Sequence, residues 1–136
     1  MTALLALAAG LALAGVTGWL LTRRHGALRA TRGEAPAVNT AALGLSAAGP
    51  TVVHFSAPWC GPCAAVRRVV DQVCDELDGV AHREIDIDTN PVAARELSVL
   101  SLPTTFIFDA AGRQRFRATG VPSVDALRSA LQALLA

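Results

Sequence analysis

Thr51-Val52-Val53-His54-Phe55-Ser56-Ala57-Pro58-Trp59-Cys60-Gly61-Pro62-Cys63 is the most informative stretch of this 136-residue chain. Its first six residues are β-branched, aromatic or small and lie between Pro50 and Pro58, the pattern of a short buried strand. Beyond Cys63 the apolar positions Val66, Val69, Val70, Val73 and Leu77 recur at helical spacing and stop at Gly79. The two cysteines therefore stand at a strand-to-helix junction. Free backbone N–H groups and the helix dipole stabilise a thiolate there, and cysteines three apart can close a small disulfide ring. Cys60 is the expected nucleophile toward a disulfide and Cys63 the resolving thiol. A zinc site is the competing reading, but it needs about four ligands. Outside the pair there are only Cys74, His25, His54 and His82, with no second Cys-x-x-Cys.

Working outward, Val80 to Ile87 reads as a second strand, and Asn90-Pro91 as the start of a short helix through Leu97. Thr104 to Phe108 and Arg113 to Ala118, joined by Asp109-Ala110-Ala111-Gly112, read as a hairpin. Pro122-Ser123 opens a last helix with Val124, Leu127, Leu131 and Leu134 on one face. The order β-α-β-α-β-β-α describes an α/β domain with a parallel crossover unit followed by an antiparallel hairpin.

Residues 51–136 resemble the thioredoxin family. The matching features are Trp59-Cys60-Gly61-Pro62-Cys63, Ile87-Asp88, Asn90-Pro91, Leu102-Pro103-Thr104 and Gly120, in that order. The resemblance implies a thioredoxin-like fold, a central mixed sheet flanked by helices. It also implies a cis bond before Pro103 and a substrate-docking surface made of Trp59, Gly61, Pro62, Leu102, Pro103 and Thr104. The implied activity is thiol-disulfide exchange on protein disulfides, with the Cys60–Cys63 pair as redox group and no separate cofactor or metal. The implied electron donor is a reductase, such as an NADPH-dependent thioredoxin reductase.

The family's buried acid on the active-site strand falls here on His54, and its lysine partner on Glu84. His54 is accordingly a third catalytic candidate, deprotonating Cys63 with an imidazole whose ordinary pKa is near 6.5. A satisfied core histidine is the alternative. Cys74 lies three helical turns beyond Cys63, roughly 16 Å along the axis, too far for a disulfide whose Cα separation is about 4.4 to 6.8 Å. It is expected to be a packed free thiol. His82 and His25 are expected simply to be exposed, and Arg113, Arg115 and Arg117 to line a solvated sheet edge.

The N-terminal part differs from the rest. Ala3 to Leu21 holds no charge and 15 apolar residues among 19. As a helix it would be about 28 Å long, matching the roughly 30 Å hydrocarbon core of a bilayer. Trp19 and the cluster Arg23-Arg24-His25 follow as interfacial anchors do. No basic residue precedes the apolar run, so a retained transmembrane helix over 3–21 is favoured over a cleaved signal peptide, and the domain is placed on the cytoplasmic side of the cell membrane. Residues 22–50 read as a basic juxtamembrane segment and linker that only tethers the domain of residues 51–136. A net charge of +1 is no argument for nucleic-acid binding, and 52% apolar residues exclude a disordered chain. The function expected is a membrane-tethered thiol-disulfide oxidoreductase. The alternatives are an anchored extracytoplasmic reductase for cytochrome c maturation or disulfide repair, and a non-catalytic adaptor.

Overall fold

The computed structural model describes residues 1–23, 25–31 and 41–136. Helix α1 (Thr2–Thr22) precedes a two-residue strand β1 (Arg29–Ala30), then β2 (Thr51–Ser56), α2 (Cys63–Glu76), β3 (Ala81–Asp86), α3 (Pro91–Glu96), β4 (Thr104–Phe108), β5 (Gln114–Thr119) and α4 (Val124–Leu135). The strands form one mixed sheet in the order β1-β5-β4-β2-β3. β2 and β3 are parallel, in a register that pairs Val52 with His82, His54 with Glu84 and Ser56 with Asp86. β2 runs antiparallel to β4, with His54 opposite Thr105 and Phe55 opposite Thr104.

Side chains alternate across β2, and each face has its own core. Val52 packs under α2 and α4 with Val66, Val70, Val73, Ile107, Leu127 and Leu131, all fully buried. Val53 and Phe55 point to the opposite face, with Phe106, Phe108, Leu97 and Leu43. Phe55 meets Phe106 edge to face at 5.8 Å between centroids, a geometry worth about 0.5–1.5 kcal/mol beyond area burial. Helix α4 is N-capped by Ser123, whose Oγ accepts from the Ala126 N–H at 3.2 Å. Asn90 holds the N-cap position of α3 without making that bond; its Nδ2 donates to the Asp86 carbonyl and to Thr89 Oγ1.

Two expectations need correction. The segment 22–50 is not merely a linker. β1 pairs antiparallel with β5, Gly26 N–H donates to the Thr119 carbonyl at 2.6 Å, and Leu43 is 2% exposed in the second core. A two-residue strand carries no hydrophobic pattern, which is why composition alone reads it as linker. Arg24 and residues 32–40 lie outside the described residues. The arginine row, in turn, is no sheet edge, because β1 covers β5. Arg113 and Arg115 converge on Asp109 Oδ2 at 3.0 and 3.2 Å, and Arg117 donates to the carbonyls of Leu97 and Ser98 at 3.0 and 2.8 Å. These bonds tie the hairpin turn and the end of α3 to the sheet.

Helix α1 is apolar all round, and its span Ala3–Thr22 is long and apolar enough to cross a membrane; a signal sequence has the same properties. Two of its hydroxyls bond back to the helix: Thr17 Oγ1 donates to the Leu13 carbonyl at 2.7 Å and Thr22 Oγ1 to that of Gly18 at 2.9 Å. The Arg23 guanidinium lies 3.5 Å over the Trp19 ring.

Candidate active site

β2 delivers the chain into a turn at the C-terminal end of the sheet, and α2 starts at Cys63 with Pro62 as its N-cap. Cys60 therefore sits just ahead of the first helical turn rather than on it. The two cysteines form a disulfide, with Cα atoms 5.5 Å apart. Cys60 is half-buried, whereas Cys63 is 2% exposed with its Sγ 4.0 Å from the Phe55 carbonyl. The accessible sulfur is thus the first cysteine and the shielded one the second.

The docking candidates gather at this end of the sheet. Trp59 is 68% exposed, and its Nε1 donates to Asp88 Oδ2 at 3.3 Å. Gly61 and Pro62 are exposed between the cysteines. The Leu102-Pro103 bond is cis. Because β4 begins at Thr104 opposite Phe55 near the end of β2, the Leu102-Pro103 loop lies at the same end of the sheet as Cys60. Gly120 N–H donates to the Pro103 carbonyl at 2.9 Å, and Thr104 Oγ1 to that of Ser101 at 2.6 Å, bracing the loop from both sides.

Behind the disulfide, His54 is fully buried. Its Nδ1 is 2.8 Å from His82 Nε2, and the two rings stack at 5.0 Å between centroids. Its Nε2 faces Glu84 Oε1 across 3.5 Å, too long for a good hydrogen bond, and has no other partner among the described residues. Glu84 is instead gripped by Arg67, which donates through Nε at 2.8 Å and Nη2 at 2.6 Å. On the far side, His82 Nδ1 lies 3.3 Å from Asp71 Oδ1. Helix α2 supplies Cys63, Arg67 and Asp71, each four residues apart and so on one stripe. β3 supplies Glu84 and His82, two apart and so on one face.

This packing changes the expected chemistry of His54. Burial first, then the neighbouring His82, lowers its pKa from 6.5 to about 4. The imidazole is neutral near pH 7, so the 3.5 Å contact with Glu84 is not an ion pair there. The Arg67 hydrogen bonds hold Glu84 down at about 2. The expectation that His82 is merely exposed is also overturned, since its ring covers His54. Cys74 is a partly buried free thiol whose pKa is raised by burial and by Asp71 and Asp75. Among the described residues no group of three or more His, Cys, Asp or Glu stands close enough to hold a metal ion.

A family model described as Thioredoxin matches residues 41–133, more than half of the chain. The chain belongs to the thioredoxin family. It is similar, at 43% identity over 65 residues, to a thioredoxin of Pyropia yezoensis, with 47% of this chain and 61% of that one covered. It is 42% identical over 65 residues to a bifunctional thioredoxin reductase/thioredoxin of Mycobacterium leprae, covering 47% of this chain and 14% of that one. A thioredoxin of Chlamydia trachomatis is 36% identical over 81 residues, 60% of this chain and 78% of its own. The chain thus spans 61% and 14% of the length of the first two thioredoxin relatives, less than two thirds. Among solved structures, chloroplastic thioredoxin z matches with a TM-score of 0.59 and 31% identity over 65% of this chain and 80% of that one. A mutant thioredoxin of Halobacterium salinarum has a TM-score of 0.59 and 26% identity, covering 76% of this chain and 87% of its own. The sheet, the Cys60–Cys63 junction and the cis-proline loop together form a thioredoxin fold.

Proposed function

We propose that this chain is a membrane-tethered thiol-disulfide oxidoreductase that reduces protein disulfides. The observation that carries the reading is the asymmetry of the pair, Cys60 accessible and Cys63 2% exposed. In the reduced protein the Cys60 thiolate attacks a substrate disulfide, forming one sulfur–sulfur bond and releasing one substrate thiolate. Cys63 then loses its proton and attacks Cys60 Sγ. The Cys60–Cys63 bond forms, the second substrate sulfur leaves, and the substrate thiolates take protons from water. Trp59, Gly61, Pro62, Leu102, Pro103 and Thr104 form the surface on which an extended substrate segment docks. His54 Nε2, buried without a hydrogen-bond partner among the described residues, accepts the Cys63 proton directly or through one water.

A partner reductase returns electrons to the Cys60–Cys63 disulfide. The fusion of thioredoxin with thioredoxin reductase in the Mycobacterium leprae relative supports a donor of that class. The exposed, uniformly apolar helix α1 and the Trp19–Arg23 pair at its end support anchoring in the membrane. The arginines that follow the helix support a cytoplasmic domain.

Insulin reduction by the full chain in detergent, with dithiothreitol as donor, tests the activity. Wild type accelerates it, Cys60→Ser abolishes the acceleration, and Cys63→Ser accumulates a mixed disulfide; acceleration retained in Cys60→Ser overturns the reading. Membrane fractionation tests the anchor. In intact cells an impermeant thiol reagent should leave Cys60 unlabelled, and labelling from outside would put the domain on the other side of the membrane.

A further inference from the structure

The buried histidine does not stand alone, and its neighbours form a graded path to the surface. His54 is 0% exposed, the His82 side chain 19% and the Asp71 carboxylate 57%. Consecutive members are 2.8 and 3.3 Å apart. We propose that His82 and Asp71 are the outlet of a proton relay, which takes the Cys63 proton entering at His54 Nε2 and delivers it through both imidazoles to solvent. This rests on the proposed reductase reading and adds two residues to it.

Tautomer logic supports the direction. The Asp71 carboxylate can only accept, so His82 Nδ1 carries the hydrogen that faces it. His82 Nε2 is then an acceptor, and His54 Nδ1 must donate to it. That leaves His54 Nε2 with a lone pair, consistent with its facing the Glu84 oxygen at 3.5 Å without a hydrogen bond. One assignment, Nδ1–H on both rings, pairs the two imidazoles and turns an N–H toward Asp71. The atom it leaves free, His54 Nε2, is on the opposite side of the ring from the His82 contact.

The step balances. A proton from Cys63 binds His54 Nε2 while the hydrogen on His54 Nδ1 crosses to His82 Nε2. The charge is then an imidazolium on His82 beside the Asp71 carboxylate. Loss of the His82 Nδ1 proton to Asp71 or water restores a neutral ring, and slower exchange with water resets the pair: a water takes the hydrogen from His54 Nε2, the His82 Nε2 hydrogen returns to His54 Nδ1, and solvent supplies a new one to His82 Nδ1. No charge needs to rest on the buried ring. Glu84 is a poor competing exit, because the Arg67 fork holds its carboxylate down at about 2 and so makes it a weak base. The groups acting on His54 are Arg67 from α2 and His82 and Glu84 from β3, with the non-titrating Thr105 opposite it on β4; Cys63 lies one turn of α2 before Arg67 and Asp71 one turn after it.

The test uses the full chain in detergent and a fluorescent disulfide peptide in single turnover, from about pH 6 to 8. Attack by Cys60 is read in a Cys63→Ser background and resolution in its absence. His82→Phe keeps a stacked ring and removes both nitrogens. It is expected to slow resolution at least about tenfold near pH 7, a modest share of the hundredfold or more that acid–base catalysis supplies. It should also diminish the solvent isotope effect on that step, respond to added imidazole, and leave Cys60 attack unchanged. Asp71→Asn, at an exposed position, should slow resolution in the same direction and carries the test if His82→Phe does not fold. Nitrogen-15 spectra of the oxidised wild type should show Nδ1–H on both His54 and His82. Resolution within twofold of wild type in the folded variants, or an Nε2–H tautomer at neutral His54, overturns the relay. A wild type whose Cys60 fails to attack the peptide overturns the reductase reading instead.

Discussion

His54 Nδ1 and His82 Nε2 meet at 2.8 Å between two parallel strands, with one ring fully buried and the other partly open to water. The strand register pairs His82 with Val52 rather than with His54, so the contact is diagonal across the sheet. A buried imidazole in this position is held neutral at the expense of acid stability. Its pKa is about 4 in the folded chain against 6.5 unfolded. Between those values the unfolded state binds the extra proton, so stability is full above pH 6.5 and falls as the pH drops toward 4. The difference is worth about 3 kcal/mol at 1.36 kcal/mol per tenfold. Urea denaturation of the wild type should show that decline across the window, and in His54→Leu most of the slope should vanish. An equal slope in the variant would place the acid sensitivity elsewhere.

Burial and His82 depress His54 most, and the Arg67–Glu84 fork adjusts that shift, its two partners acting with opposite sign. Glu84 raises the His54 pKa and Arg67 lowers it. Arg67→Ala should therefore move the His54 titration upward from about 4, and Glu84→Gln should move it further down. Both are read from the His54 ring proton shifts. Glu84 itself is held near 2 by Arg67, so Arg67→Ala should also let the carboxylate titrate closer to its ordinary range. Shifts of the same sign in both variants would contradict the arrangement.

What is legible in the sequence is what local pattern encodes. The Cys60–Cys63 junction, the helical spacing from Val66 to Leu77 and the hairpin turn at Asp109 are short-range signals, and each element sits within two residues of its expected place. The second half of the site is not local. Arg67 and Asp71 are four apart on a helix, His82 and Glu84 two apart on a strand, and only the α2 crossover and the parallel β2–β3 register place one pair over the other. That double spacing is the available signal. His82 carries none by itself, because a lone histidine in a half-polar strand is ordinarily solvated. Strand β1 escapes for another reason, since Arg29–Ala30 has too few residues to show any period.

The segment before β1 is fastened by backbone, and a side chain there should loosen it. Gly26 has φ +84°, and a Cβ at that position would stand 2.0 Å from the Val121 carbonyl oxygen. Gly26→Ala should cost at least about 2 kcal/mol, combining left-handed strain with a backbone clash. Gly10→Ala in α1 meets nothing within 4 Å and should leave the thermal midpoint unchanged. Thermal unfolding in detergent compares the two. A Gly26→Ala protein as stable as the parent would mean that residues 26–30 are dispensable to the domain.

Thiol reactivity should separate the three cysteines in the reduced chain. Cys60 is half-buried at the mouth of the site and lies just ahead of the N-terminus of α2, where backbone N–H groups favour a thiolate. Cys63 is 2% exposed. Cys74 is partly buried, and burial together with Asp71 and Asp75 pushes its thiol pKa up. Brief iodoacetamide treatment near neutral pH should therefore alkylate Cys60 first, at least about tenfold faster than Cys63 or Cys74, since each tenfold in thiolate fraction is one pKa step. Peptide mass spectrometry of the quenched mixture gives the order. Modification of Cys74 ahead of Cys60 would mean that the helix terminus does not activate the first cysteine, and the attacking role would then have to be reassigned.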